Sequence, residues 1–150
     1  MSHSLRPALA LGTAAILGLG LSACSLLPFG NSTSAFNMKV GQCIQIPDGD
    51  RVSSFETAEC TAEHDGEVYH TLQLTDSTLP SDSEMEDKAT SACSDAFEDY
   101  VGTPYEESAL EIYWTYPTSQ TWSRGDREIV CIATPTDSSK LTQSVKGSKM

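Results

Sequence analysis

The fold class predicted for this 150-residue sequence is α+β: a small antiparallel sheet of about five strands, covered by one amphipathic helix and stapled by two disulfides. Three observations predict it. Five short segments alternate in polarity, or run apolar, between turn residues. One stretch, residues 83–101, repeats apolar side chains at spacings of three and four. Cys43, Cys60, Cys93 and Cys131 all fall inside these segments and form an even set.

Residues 39–46, "KVGQCIQI", read as a strand closed by the turn residues Pro47-Asp48-Gly49-Asp50. "VSSFETAEC" at 52–60 and "EVYHTLQL" at 67–74 read as the second and third strands. Ser83 and Glu86 are spaced as a capping box, in which hydroxyl and carboxylate each accept a backbone N–H at a helix start. The helix that follows places Met85, Ala89, Ala92, Cys93, Ala96, Phe97, Tyr100 and Val101 on one stripe, and Gly102 and Pro104 end it. "ALEIYWTYP" at 109–117 and "REIVCIATP" at 127–135 complete the sheet. Four cysteines allow three pairings. A bridge from Cys93 on the helix stripe to Cys131 in the last strand, with Cys43 joined to Cys60 across the first two strands, is one that suits the pattern.

The N-terminus has a different character. Arg6 precedes an uncharged apolar run, "ALALGTAAILGLGL", too short and Gly-rich for a good membrane span and of the length of a signal-peptide core. Leu21-Ser22-Ala23-Cys24 resembles a bacterial lipobox, which implies cleavage before Cys24 and a diacylglyceryl group on its thiol. That accounts for the fifth cysteine and leaves the other four in a compartment where disulfides persist. Two or more acyl chains anchor a protein without a transmembrane helix. The expected organisation is a signal peptide at 1–23, a Ser/Thr/Gly/Pro-rich tether at 24–37, a domain at 38–147 and a tail at 148–150. The expected location is the extracytoplasmic face of the cell membrane, held by lipid on Cys24.

With 9 basic against 21 acidic residues, the net charge is −12, and it becomes more negative once Arg6 is removed. This opposes nucleic-acid binding, which depends on Lys and Arg neutralising phosphates. It equally disfavours unaided contact with anionic lipids or wall polymers.

"CTAEHDGEVYH", residues 60–70, concentrates the groups able to do chemistry. His64 and His70 lack both the i, i+4 spacing of a zinc-protease helix and the H-x₃₋₅-H spacing of a finger, and Cys60 has no C-x-x-C partner. Asp65 beside His64 could orient an imidazole for general-base work, but no G-x-S-x-G elbow supplies a nucleophile. The segment therefore reads as a turn, with Asp65-Gly66 reversing the chain and His64 bonded to nearby backbone. Arg124-Gly125-Asp126 spells an integrin-ligand tripeptide, yet its setting between Trp122 and an apolar strand is that of a turn. Tyr113, Trp114, Tyr116 and Trp122 could line an aromatic binding platform.

Taken in order, "VGQCI", "CTAEHDGEVYH", "CSDAFEDYVG", "YPTSQTWSRGDREIVCIA" and "LTQSVKG" resemble the septum-formation domain of actinobacterial envelope proteins and lipoproteins, over Val40 to Gly147. The family's usual Pro-His-Asp has Glu63 in place of the proline here, while Gly125, Asp126 and Arg127 follow the expected order. The resemblance implies an extracytoplasmic, disulfide-bearing domain associated with cell division or envelope organisation, with no established catalytic residue or cofactor. The expectation is a membrane-anchored interaction or ligand-binding module, not an enzyme. It has no cofactor and no metal, an envelope or division protein is its partner, and His64, Asp65, Trp114, Trp122, Arg124 and Asp126 are its candidate binding residues. The rival readings are an envelope hydrolase using His64 with Asp65 or a bound metal, and a spacer without a ligand.

Overall fold

In the computed structural model, residues 32–34, 37–47 and 54–150 are described. Strands β1 (Ser32–Ser34), β2 (Cys43–Gln45), β3 (Ser54–Ala58) and β4 (Gly66–Gln73) precede helix α1 (Asp82–Val101). A 3-10 turn (Tyr105–Glu107), β5 (Leu110–Thr115), the short helix α2 (Ser119–Trp122) and β6 (Glu128–Pro135) follow. The strands form one antiparallel sheet in the order β1-β3-β2-β4-β6-β5. The α+β class is as expected. The five expected strands are β2 to β6, and the sixth, β1, is a short edge strand inside the stretch read as tether.

Helix α1 is held by its sequence at both ends. Its N-cap is Ser81, whose hydroxyl accepts from the Glu84 N–H while the Glu84 carboxylate accepts from the Ser81 N–H. The expected box at Ser83 and Glu86 is thus displaced by two residues. Two overlapping S-x-x-E patterns occur here, and Ser81, directly after Pro80, takes the cap with its own backbone extended at φ −64 and ψ 158. Glu86, two residues further, instead accepts from the Tyr116 hydroxyl at 2.9 Å. The two hydrogen bonds from Ser81 hold the Glu84 carboxyl below its ordinary range. Ser81→Ala is expected to destabilise the domain by about 1 kcal/mol, read as a lower urea midpoint at unchanged slope.

At the other end Gly102 adopts φ 88, the left-handed conformation that suits glycine, and donates to Glu98 O. The last turn carries no basic side chain. Its carbonyls are met by the C-terminal segment: Gly147 N donates to Tyr100 O at 2.8 Å and Lys149 N to Val101 O at 3.0 Å.

Met85, Ala89, Cys93, Phe97 and Val101, each four residues after the last, form the buried stripe of α1. They pack with Tyr69, Leu110, Ile129, Cys131 and Ala133 on one face of the sheet. Met38, Ile44, Phe55, Val68, Val130 and Ile132 form a second cluster on the other face. Since β2, β3, β4 and β6 all contribute, the sheet curls to cover its own far side. The run "IVCIA" of β6 is apolar without alternation because both of its faces are buried.

Both disulfides follow the pattern that suited the sequence. Cys43–Cys60 joins β2 to the turn after β3, and Cys93–Cys131 joins α1 to β6. One irregularity matters for the site. The β4–β6 register runs Val68–Ile132 and then His70–Cys131, so Tyr69 is an extra residue and the strand bulges there.

Candidate functional site

The segment from His64 to Glu67 is built into the interior, and what it holds is the end of the chain. His64 pairs with Leu141 as an antiparallel bridge, with N–O distances of 3.0 and 2.9 Å in the two directions. Asp65 accepts from Ile46 N at 2.9 Å through one carboxylate oxygen and is paired with the Lys140 ammonium through the other. Glu67, 1 % exposed, accepts three hydrogen bonds: from the Tyr100 hydroxyl at 2.6 Å, the Ser144 hydroxyl at 2.9 Å and Val145 N at 2.7 Å. All three partners are donors, which suits a group that only accepts. This is a clasp that closes residues 140–149 over the sheet and the end of α1.

The turn expected at Asp65-Gly66 lies elsewhere. The chain reverses at Glu59–Ala62, where Ala62 N donates to Glu59 O, and Gly66 already begins β4. Glycine stands there because a Cβ would meet Ile132 Cγ2 at 2.8 Å and the Ala133 carbonyl oxygen at 2.9 Å. The expected bond from His64 to nearby backbone is present, Nδ1 to Ala62 O at 2.8 Å. Asp65 orients Lys140 and the Ile46 amide, so the His-Asp pairing of a hydrolytic triad is not made here.

Lacking a structural role in the clasp, His70 stands half-buried beside α1, separated from His64 by the strand entry and the bulge. It lines an open groove of about 510 Å³ with Tyr69, Ala92, Asp95, Ala96, Asp99 and Tyr100. A second depression, which includes Asp87, Lys88 and Ser91, shares Ala92 and Asp95 with it, so the groove runs along one flank of α1. Lys88 is paired with Asp76 at 3.3 Å. Lys146 sits over the Tyr100 ring, 5.8 Å from its centre.

The other candidates divide. Arg124-Gly125-Asp126 is a turn closing α2: Gly125 has φ 97, Gly125 N donates to Trp122 O, and Asp126 N donates to Thr121 O. Arg124 is exposed, whereas Asp126 is 6 % exposed and accepts from Glu128 N. Trp122 is covered by Arg127, whose guanidinium lies 3.5 Å above the ring. Trp114, Tyr116 and Trp122 pack against the helix-side cluster, while Tyr113, one residue out of phase, packs against the far one. Strand alternation therefore splits the four aromatics, and no single platform carries them all. Cys24 lies outside the described residues. Among those described, no helix is long and apolar enough to cross a membrane.

Burial raises the hydroxyl pKa of Tyr69 well above the tyrosine range, with Tyr105 adding to it. Burial also raises that of Tyr100, whose hydrogen bond to Glu67 holds the proton in place. A pKa higher in the folded than in the unfolded chain contributes stability that is whole below the unfolded value, about 10. That stability is lost as pH rises toward the folded value. Thermal melts are therefore expected to be insensitive to these groups up to about pH 10 and to fall above it, with tyrosinate absorbance rising as the fold is lost.

A model described as septum formation matches residues 28–131, more than half of the chain. The chain belongs to the septum formation family. The matched span covers both disulfides and the clasp segment 63–67, starts within the stretch read as tether, and stops before the tail that the clasp holds. No curated protein and no solved structure matches the chain.

Glu67, Tyr100, Lys140 and Ser144 were absent from the sequence-derived candidates. Glu67 carried a signal: in "EVYH" it shares a face with apolar Tyr69, and a carboxylate on a buried strand face must have internal partners. Nothing local pointed to those partners, which lie 33 to 78 residues away along the chain.

Proposed function

We propose that this septum formation domain is an extracytoplasmic interaction module rather than an enzyme. It is held at the outer face of the cytoplasmic membrane by lipid on Cys24, and it acts in septum formation by binding another envelope or division protein. Membership of the septum formation family is the observation that carries the link to division. The commitment of His64, Asp65 and Glu67 to the C-terminal clasp supports binding over catalysis.

The groove along α1 is the surface that suits a partner. Its floor is Ala92, Ala96 and Tyr100, and Asp95 and Asp99 stand exposed along it. An ammonium already lies over the Tyr100 ring. A basic segment of a partner protein complements this surface in charge and shape.

The test follows a fluorescently tagged chain in dividing cells of its native host, beside Cys24→Ala and the double variant Asp95→Lys/Asp99→Lys. Enrichment at division sites that is lost in both, with the melting temperature of the double variant unchanged, is the expected result. A uniform envelope signal for the parent chain would remove the septal role. Septal enrichment untouched by the charge reversal would remove the groove.

A further inference from the structure

Beneath the clasp lies a second chemistry. His64 is fully buried, and its Nδ1 contacts a carbonyl oxygen, Ala62 O, at 2.8 Å. A carbonyl cannot donate, so Nδ1 carries a proton there, and in the neutral imidazole Nε2 is then the nitrogen with the lone pair. That Nε2 has no hydrogen-bond partner. Cys43 Sγ, one imidazole nitrogen of His64 and one carboxylate oxygen of Glu67 lie within 4.8 Å of one another, all three residues buried. An imidazole whose Nδ1–H is fixed on a backbone carbonyl, with Nε2 left unpartnered, is in the state a metal-bound histidine adopts.

Cys43 is bonded to Cys60, and a disulfide sulfur is a poor ligand. We infer that Cys43, His64 and Glu67, with Cys60, form a zinc-type site that is closed by the Cys43–Cys60 disulfide and opened by its reduction. A partner dithiol would be the reductant: it is oxidised to its own disulfide, and the Cys43–Cys60 sulfur–sulfur bond becomes two thiols. A divalent, thiophilic cation then displaces two thiol protons and takes two thiolates, His64 Nε2 and a Glu67 oxygen, a four-coordinate set of zinc character. Cys60, bonded to Cys43 in the closed state, supplies the fourth ligand.

Exposure favours this bridge over the other. Cys60 is half-buried on the turn after β3, whereas Cys93 and Cys131 are both 0 % exposed. A reductant therefore reaches Cys43–Cys60 first.

The test uses the full chain, oxidised and after phosphine reduction with anaerobic removal of the phosphine. Alkylation and mass spectrometry show which cysteines are free. With Cys43 and Cys60 reduced and Cys93–Cys131 intact, Co²⁺ is expected to give thiolate-to-cobalt charge transfer and Zn²⁺ to be retained at about one per chain. The oxidised chain should give neither signal. His64→Ala in the reduced chain should weaken the metal by more than about 100-fold, beyond the usual loss of an outer-shell group. Because the parent protein is read in two redox states, the result does not depend on that variant folding. Reduced Cys43 and Cys60 without the cobalt band, or equal binding by His64→Ala, would overturn the site.

Discussion

Glu67→Ala is expected to lower the unfolding free energy by about 3–5 kcal/mol, the largest effect of any single polar substitution in this domain. The carboxylate is buried and accepts from Tyr100, Ser144 and Val145 N, so its removal orphans three donors at once. The buried donor Val145 N left without a partner costs about 1–3 kcal/mol, the half-buried Tyr100 and Ser144 hydroxyls add smaller losses, and the tail that Glu67 secures also caps the last carbonyls of α1. Glu67→Gln keeps the shape and one acceptor oxygen but brings an NH₂ against a donor, so an intermediate loss is expected. Urea unfolding followed by circular dichroism separates the three proteins. Alanine no worse than glutamine would mean that the hydrogen bonds carry no net weight.

Opening the Cys93–Cys131 bridge by Cys93→Ala/Cys131→Ala is expected to cost about 4 kcal/mol in the chain-entropy account. The bridge spans a sequence separation of 38 and ties the middle of α1 to β6, an interior strand between β4 and β5, with both cysteines at 0 % exposure. Cys43–Cys60 spans 17, for which the same account gives about 3 kcal/mol. Denaturant midpoints of the two double variants should therefore rank in that order. The gap should be widened by the small cavity the lost sulfurs leave in the buried cluster between α1 and the sheet. The reverse order would show that native packing around Cys43, including the clasp, outweighs loop length.

These effects fall where the sequence was most and least readable. The stripe from Met85 to Val101 and the strand runs were legible because a helix on a sheet imposes a period of 3.6 on one element and alternation on the others. The cap was misplaced by two residues because Ser81-x-x-Glu84 and Ser83-x-x-Glu86 overlap, and the extended backbone at Ser81 itself, which the residue pattern does not show, decides between them. Helix α2 is a single turn, too short to show a period, although Thr118 and Thr121 cap it reciprocally.

Why "EHDGE" attracts attention as a site is now plain in physical terms. His64 and Glu67 are buried and Asp65 half-buried, and among the partners they hold are Lys140, Leu141, Ser144 and Val145, supplied by the other end of the chain. Pairing at such separation leaves no local pattern. The aromatic candidates were divided for the opposite reason: alternation was visible in "IYWTY", and it places Tyr113 on the face away from Trp114.

The measurement that most directly tests the clasp is amide hydrogen exchange on the parent chain and on Glu67→Ala. In the parent, the amides of Leu141, Val145 and Gly147 should exchange as slowly as those of the α1 core, since each donates to a residue of the clasp or of α1. In Glu67→Ala, Val145 and Gly147 should approach the rate of an unstructured peptide while Ile129 to Cys131 of β6 stay protected. Fast exchange of Leu141, Val145 and Gly147 in the parent protein would contradict the account, because the bonds that tie them to His64, Glu67 and Tyr100 would then not hold the tail.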